Sequence, residues 1–140
     1  MKQVLALLIF VLGIQLTKAA APDDILGVWF NEEKDAKIEI YEKNGKFFGK
    51  IVWHRTGDDV DPYDSENPDP ELRKRKKMGM VILKDFEYDD GEYEDGTIYD
   101  PKSGKTYDCI MKLQDDGSLY VRGYIGFSLL GRTTYWTRPE

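Results

Sequence analysis

Cys109 and His54 are the only cysteine and the only histidine in 140 residues. A lone cysteine closes no internal disulfide, and one thiol with one imidazole falls short of the ligand set that zinc requires. His54 lies between Trp53 and Arg55, with no nucleophile signature beside it. No catalytic residue, metal or cofactor is assigned on these grounds, and the expectation is a non-enzyme. Cationic surplus is missing too: 20 Lys and Arg face 26 Asp and Glu, for a formal charge of −6. That balance argues against nucleic acid as a partner, since neutralising phosphates takes an excess of basic side chains.

Long apolar runs are absent except at the N-terminus. There Met1-Lys2 precedes the run Val4 to Leu12, and small residues follow at Thr17-Lys18-Ala19. The pattern is that of a secretory leader cleaved after Ala19, because a cut after Ala21 would place Pro22 just past the scissile bond. The run is shorter than the roughly 20 residues of a membrane span, so no transmembrane segment is expected. No cysteine follows the cleavage region to carry a lipid anchor. Residues 1–19 are therefore read as a signal peptide and 20–140 as one domain, periplasmic or secreted. Losing Lys2 and Lys18 takes the charge from −6 to −8.

What is abundant is strand and turn. Residues 36–43 alternate, with Ile38 and Ile40 opposite Lys37, Glu39 and Tyr41. Asn44-Gly45 follows, a strong two-residue hairpin signal because both positions favour positive φ. Residues 46–54 return with Phe47, Gly49, Ile51 and Trp53 on one face, and mid-strand Gly49 marks a bend or bulge. Further strands are expected at 25–30, 80–86, 96–100, 105–113, 118–125 and 132–138, with an acidic turn region over 87–95. Between 55 and 77 three prolines break the pattern, and an acidic arm runs into the basic block Arg73 to Lys77. Within it Asp69-Pro70-Glu71 reads as the start of a short helix reaching about residue 77. About eight short strands make an all-β, up-and-down antiparallel barrel with one short helix between strands.

Several ordered motifs resemble the bacterial exported family called domain of unknown function 2147. They are Gly27-Val28-Trp29, Asn67-Pro68-Asp69-Pro70-Glu71-Leu72-Arg73, Gly79 to Leu83, and Gly96-Thr97-Ile98-Tyr99-Asp100-Pro101 with Gly104-Lys105-Thr106-Tyr107. Val121 to Gly126 and Gly131 to Arg138 complete the set. Tyr93 replaces the family's usual Trp, and Lys76-Lys77 a more apolar pair. The resemblance spans essentially the whole chain after the leader and implies a lipocalin-like barrel, with no activity attached. It also implies that Gly27, Trp29 and Arg138 close one barrel end through an arginine–indole contact, with Arg132 as the alternative arginine.

Two functional readings remain open. A small apolar or aromatic ligand would sit in a hollow interior lined by Phe47, Trp53, Tyr107, Tyr120, Tyr124 and Trp136. Alternatively these aromatics fill the interior, and the chain is an envelope interaction module whose apolar tip at Phe127, Leu129 and Leu130 meets a partner. Asp59, Asp61 and Asp64 lack EF-hand spacing and are expected to form a solvated acidic loop. Cys109, alternating with Tyr107, Met111 and Leu113, is read as a buried small hydrophobe.

Overall fold

The computed structural model describes Ile9, Leu12, Gly13 and residues 21–127 and 129–140. The expected leader thus lies almost wholly outside the described residues. No helix among them is long and apolar enough to cross a membrane.

Eight antiparallel strands follow one another in a single meander: β1 (Gly27–Phe30), β2 (Ala36–Lys43), β3 (Lys46–His54), β4 (Val81–Asp89), β5 (Glu92–Asp100), β6 (Lys105–Leu113), β7 (Leu119–Tyr124) and β8 (Gly131–Trp136). The sheet curls until its first and last strands meet at the bridge Phe30↔Thr137, which has backbone N–H···O contacts of 2.7 and 3.1 Å. The fold is an all-β, lipocalin-like barrel.

Strand pairing follows the turn chemistry. Asn44 (φ 54°) and Gly45 (φ 77°) are both left-handed, as a type I′ hairpin demands. Asp90 (φ 47°) and Gly91 (φ 86°) repeat this between β4 and β5. Residues 87–95, expected as a turn region, are therefore mostly hairpin arm. Their acidic side chains obscured the strand pattern, while Tyr88 and Tyr93 pack against each other at a ring separation of 5.0 Å.

The turns after β2, β4 and β6 lie at one end, together with the 3-10 turn Pro22–Ile25. That end is filled by Trp29, Phe47, Phe86, Tyr93, Met111 and Leu119, all buried. Gly96 makes this packing feasible. A Cβ there would sit 2.4 Å from the Phe86 ring, so only glycine lets that ring lie on β5. Tyr93 reaches down from β5, and its hydroxyl donates to the Pro22 carbonyl.

The loops after β1, β3, β5 and β7 gather at the opposite end. The longest, residues 55–80, was expected to carry a helix to about residue 77. It holds only the 3-10 turn Pro70–Leu72, capped by the Asp69 carboxylate on the Glu71 N–H. Downstream the chain is occupied otherwise: Tyr63 bridges Lys76, and the N–H groups of Asp64 and Lys77 donate to Arg75 and Pro62 carbonyls. Backbone committed across the loop cannot continue a helix.

Candidate functional site

The closed end is locked from the chain termini. Gly27 has φ +108°, and a Cβ on it would come within 3.0 Å of an Arg138 Nη atom, so glycine there makes room for the guanidinium. Arg138 lies 3.8 Å over the Trp29 ring and donates to the carbonyls of Asp24, Leu26 and Val28. The Trp29 indole N–H donates to Ile25. Gly27, Trp29 and Arg138 are thus brought together. Arg132 is elsewhere, 3.7 Å from Glu33 at the other end.

Above that plug the side chains no longer meet across the barrel. A cavity of about 710 Å³ opens among the loops after β1, β3, β5 and β7. Its wall is apolar at depth, with Ile38, Ile51, Ile82, Ile98 and Val121 lining it beside Tyr107, and Trp136 forms the floor. Trp136 is buried and pairs with Leu119 of the filled end, so it separates the two halves. Gly123 leaves part of the hollow open: a Cβ there would meet Ile98 and Tyr107 at an ordinary 3.4 Å. On β3, a Cβ on Gly49 would come within 2.7 Å of Leu83 in packed core, and Gly49 does not line the cavity.

Of the six aromatic residues expected inside, Tyr107 and Trp136 line the hollow, and Phe47 is interior but belongs to the filled end against Tyr93. Trp53 is corrected. A bulge inserts Val52 between the pairs Ile38↔Ile51 and Lys37↔Trp53, which flips the alternation. Trp53 therefore lies outside, edge-on to Phe30 with Lys37 above both rings. Tyr120 is also corrected. Leu119 and Val121 are buried, so period-2 alternation sends Tyr120 outward, edge-on to Tyr135. Tyr124 touches the cavity rim, but its ring follows Tyr120 outward. Burial, then the nearby Asp108 and Asp95 carboxylates, raises its hydroxyl pKa.

The rim is polar and cross-linked. Lys102, from the loop after β5, reaches Asp35 at 3.0 Å and Glu33 at 3.3 Å in the loop after β1, spanning the mouth. Burial pushes the Asp35 carboxyl up, but hydrogen bonds from Asn31 and Lys102 outweigh it, and the net shift is downward. The Lys102 ammonium is raised in turn, chiefly by Asp35. On the 55–80 loop, Arg55 pairs with Asp59 and the Lys77 ammonium donates to the Asp61 carbonyl.

That loop is anchored by Asp64, which in sequence stood only as one of three calcium-ligand candidates in an acidic loop. Expected in a solvated loop, it is fully buried. Its carboxylate accepts from Tyr99 (2.6 Å), Asn67 (2.8 Å) and Arg75 (2.8 Å). Burial raises the carboxyl, the three donors lower it, and the donors prevail. The Tyr99 hydroxyl, buried and bonded to a carboxylate, is pushed up to about 12. Asp64 was illegible because its partners lie 3, 11 and 35 residues away in sequence. No cluster of three or more metal-ligating His, Cys, Asp or Glu occurs among the described residues. Cys109 is buried, its thiol pushed up to about 12 by desolvation.

At the mouth, Ile125, Phe127, Leu129 and Leu130 project from the loop after β7 and are exposed.

The profile of a bacterial family described as "Uncharacterized protein conserved in bacteria (DUF2147)" matches residues 27–138. Among solved structures, the chain is similar to protein HP1028 from the human pathogen Helicobacter pylori, described as belonging to the lipocalin family. The two share 27% identity over 83% of each chain, with a TM-score of 0.73. No curated protein matches the chain.

Proposed function

Since this chain belongs to the uncharacterised bacterial family DUF2147 and carries a lipocalin-like barrel, we propose that it is an exported, non-enzymatic protein binding a small apolar or aromatic ligand in the barrel mouth. The observation that carries this reading is the hollow itself. A volume of about 710 Å³, walled by aliphatic side chains and Trp136 within and by charged and polar residues at the rim, lies in the usual range for small-molecule sites, roughly 300–1,000 Å³. Water against the aliphatic wall finds few hydrogen-bond partners, so an apolar body displaces it favourably. Tyr107, in the cavity lining, supplies a hydroxyl to orient such a body. Rim charges of both signs suit a ligand whose polar end stays at the opening.

The filled-interior alternative accounts for the closed half of the barrel, where Phe47, Phe86 and Tyr93 leave no room, but not for the mouth half. Export rests on the leader pattern in residues 1–19.

Native mass spectrometry of protein purified gently from its own cells tests the reading. The expected spectrum contains an adduct that disappears when the protein is unfolded and is absent from Gly123→Leu, whose side chain occupies the hollow. If protein exposed to a panel of fatty acids, terpenoids and aromatic acids shows no such adduct, the ligand reading is wrong.

A further inference from the structure

Four apolar side chains of the loop after β7 stand in solvent: Ile125 is 64% exposed, Phe127 77%, Leu129 89% and Leu130 68%. A loop beside water ordinarily carries polar residues, and burial of such a set is strongly favourable. Two of the four, Ile125 and Leu130, also line the cavity opening. The patch is therefore continuous with the apolar interior. We infer that this loop docks the barrel mouth onto a lipid surface, and that the cavity ligand is a membrane-dissolved amphiphile entering past Ile125 and Leu130.

Three observations favour lipid over a second copy of the chain. The patch is a tip of four side chains, below the roughly 800 Å² per partner that a stable protein interface buries. Lipid needs protrusion only, with no complementary surface opposite. The tip's backbone is also suited to a low-dielectric layer. The N–H groups of Ile125, Phe127 and Leu130 donate within the loop, at 3.1, 2.9 and 2.9 Å, so fewer donors are stripped of water on insertion. Finally, Arg132 lies just past the tip with a largely exposed side chain, 3.7 Å from Glu33, and offers a cation to a headgroup phosphate. The acidic whole chain disfavours anionic bilayers, which makes a zwitterionic surface the fitting partner.

Docking stands on the tip alone, whereas the identity of the ligand as a membrane amphiphile rests on the cavity reading above. The test uses the full chain with Leu129→Cys, labelled with an environment-sensitive nitrobenzoxadiazole dye. Buried Cys109 stays unlabelled, because its thiol is inaccessible and unionised. Vesicles of phosphatidylcholine and phosphatidylethanolamine should shift the dye to the blue, and spin-labelled acyl chains should quench it. Phe127→Ser/Leu129→Ser, which leaves the cavity-lining Ile125 and Leu130 in place, should keep its melting temperature and lose about tenfold or more in vesicle partitioning. It should still bind an apolar dye from solution, but take it up from vesicles at least about tenfold more slowly. Both arms carry residues 1–19, so their difference reads the tip.

A dye unmoved by vesicles overturns docking, as does equal partitioning of wild type and double variant. A blue shift that grows with protein concentration alone, with dimers in sedimentation, overturns it in favour of a second copy. Tip-dependent docking without any dye uptake leaves docking standing and overturns the ligand route.

Discussion

Trp29 shows how three residues far apart in sequence become one joint. Its ring carries the Arg138 guanidinium at 3.8 Å, its N–H holds Ile25, and Gly27 vacates the space the arginine needs. Arg138 also satisfies three carbonyls of the entering chain, so its loss frees acceptors as well as a cation–π contact. Arg138→Ala should cost about 2–3 kcal/mol in urea unfolding. Arg138→Lys should recover only part of this, since an ammonium cannot fork to three acceptors. Gly96→Ala should cost about 1–3 kcal/mol by the same assay, because its methyl must displace the Phe86 ring. At this scale much was readable from sequence: Gly27-Val28-Trp29 and the closing arginine stand in the motifs themselves. Trp53 was not, because one inserted residue at Val52 inverts an alternation otherwise correct through Ile51. Tyr120 was misassigned for a different reason, and Tyr124 reaches the cavity only at its rim. Aromatic character was weighed above the alternation of Leu119, Val121 and Gly123, which already points Tyr120 outward.

Among the elements, the 55–80 loop is the least regular and the most dependent on a single group. Asp64 ties it to Tyr99 on β5, and Arg75 folds back to complete the contact. The folded-state carboxyl lies below the ordinary aspartate value of about 3.9, so its contribution is fully present above that pH. It is lost as pH falls through the folded-state value. Asp64→Asn should therefore lower stability by about 2 kcal/mol at neutral pH, with the gap to wild type closing in thermal melts below about pH 4. Tyr99 works in the opposite direction. Its hydroxyl is raised to about 12, so its contribution holds below about pH 10 and fades as pH climbs toward 12. Strand elements were legible where alternation and turn residues agreed, as over residues 36–54. The β4–β5 hairpin was partly missed, because its exposed face is so acidic that it imitates a loop. The loop anchor was not legible, since no local pattern distinguishes Asp64 from its solvated neighbours.

For the whole molecule, the division into a filled end and a hollow end organises everything else. Short turns and large aromatic residues gather below Trp136; long loops and aliphatic walls gather above it. The barrel class was legible from strand number and spacing, but the hollow was not. Cavity volume depends on which side chains fail to meet across the barrel, and a linear pattern carries no such distance. Across the opening, Lys102 clasps Glu33 and Asp35, while the apolar tip stands to one side. The most direct measurement is fluorescence titration of N-phenyl-1-naphthylamine into wild-type protein and Gly123→Leu. The account predicts one saturable site in wild type, displaced by long-chain amphiphiles, and affinity lowered about tenfold or more in a Gly123→Leu protein of native melting behaviour. Equal binding by both proteins, or no saturable binding by wild type, would contradict it.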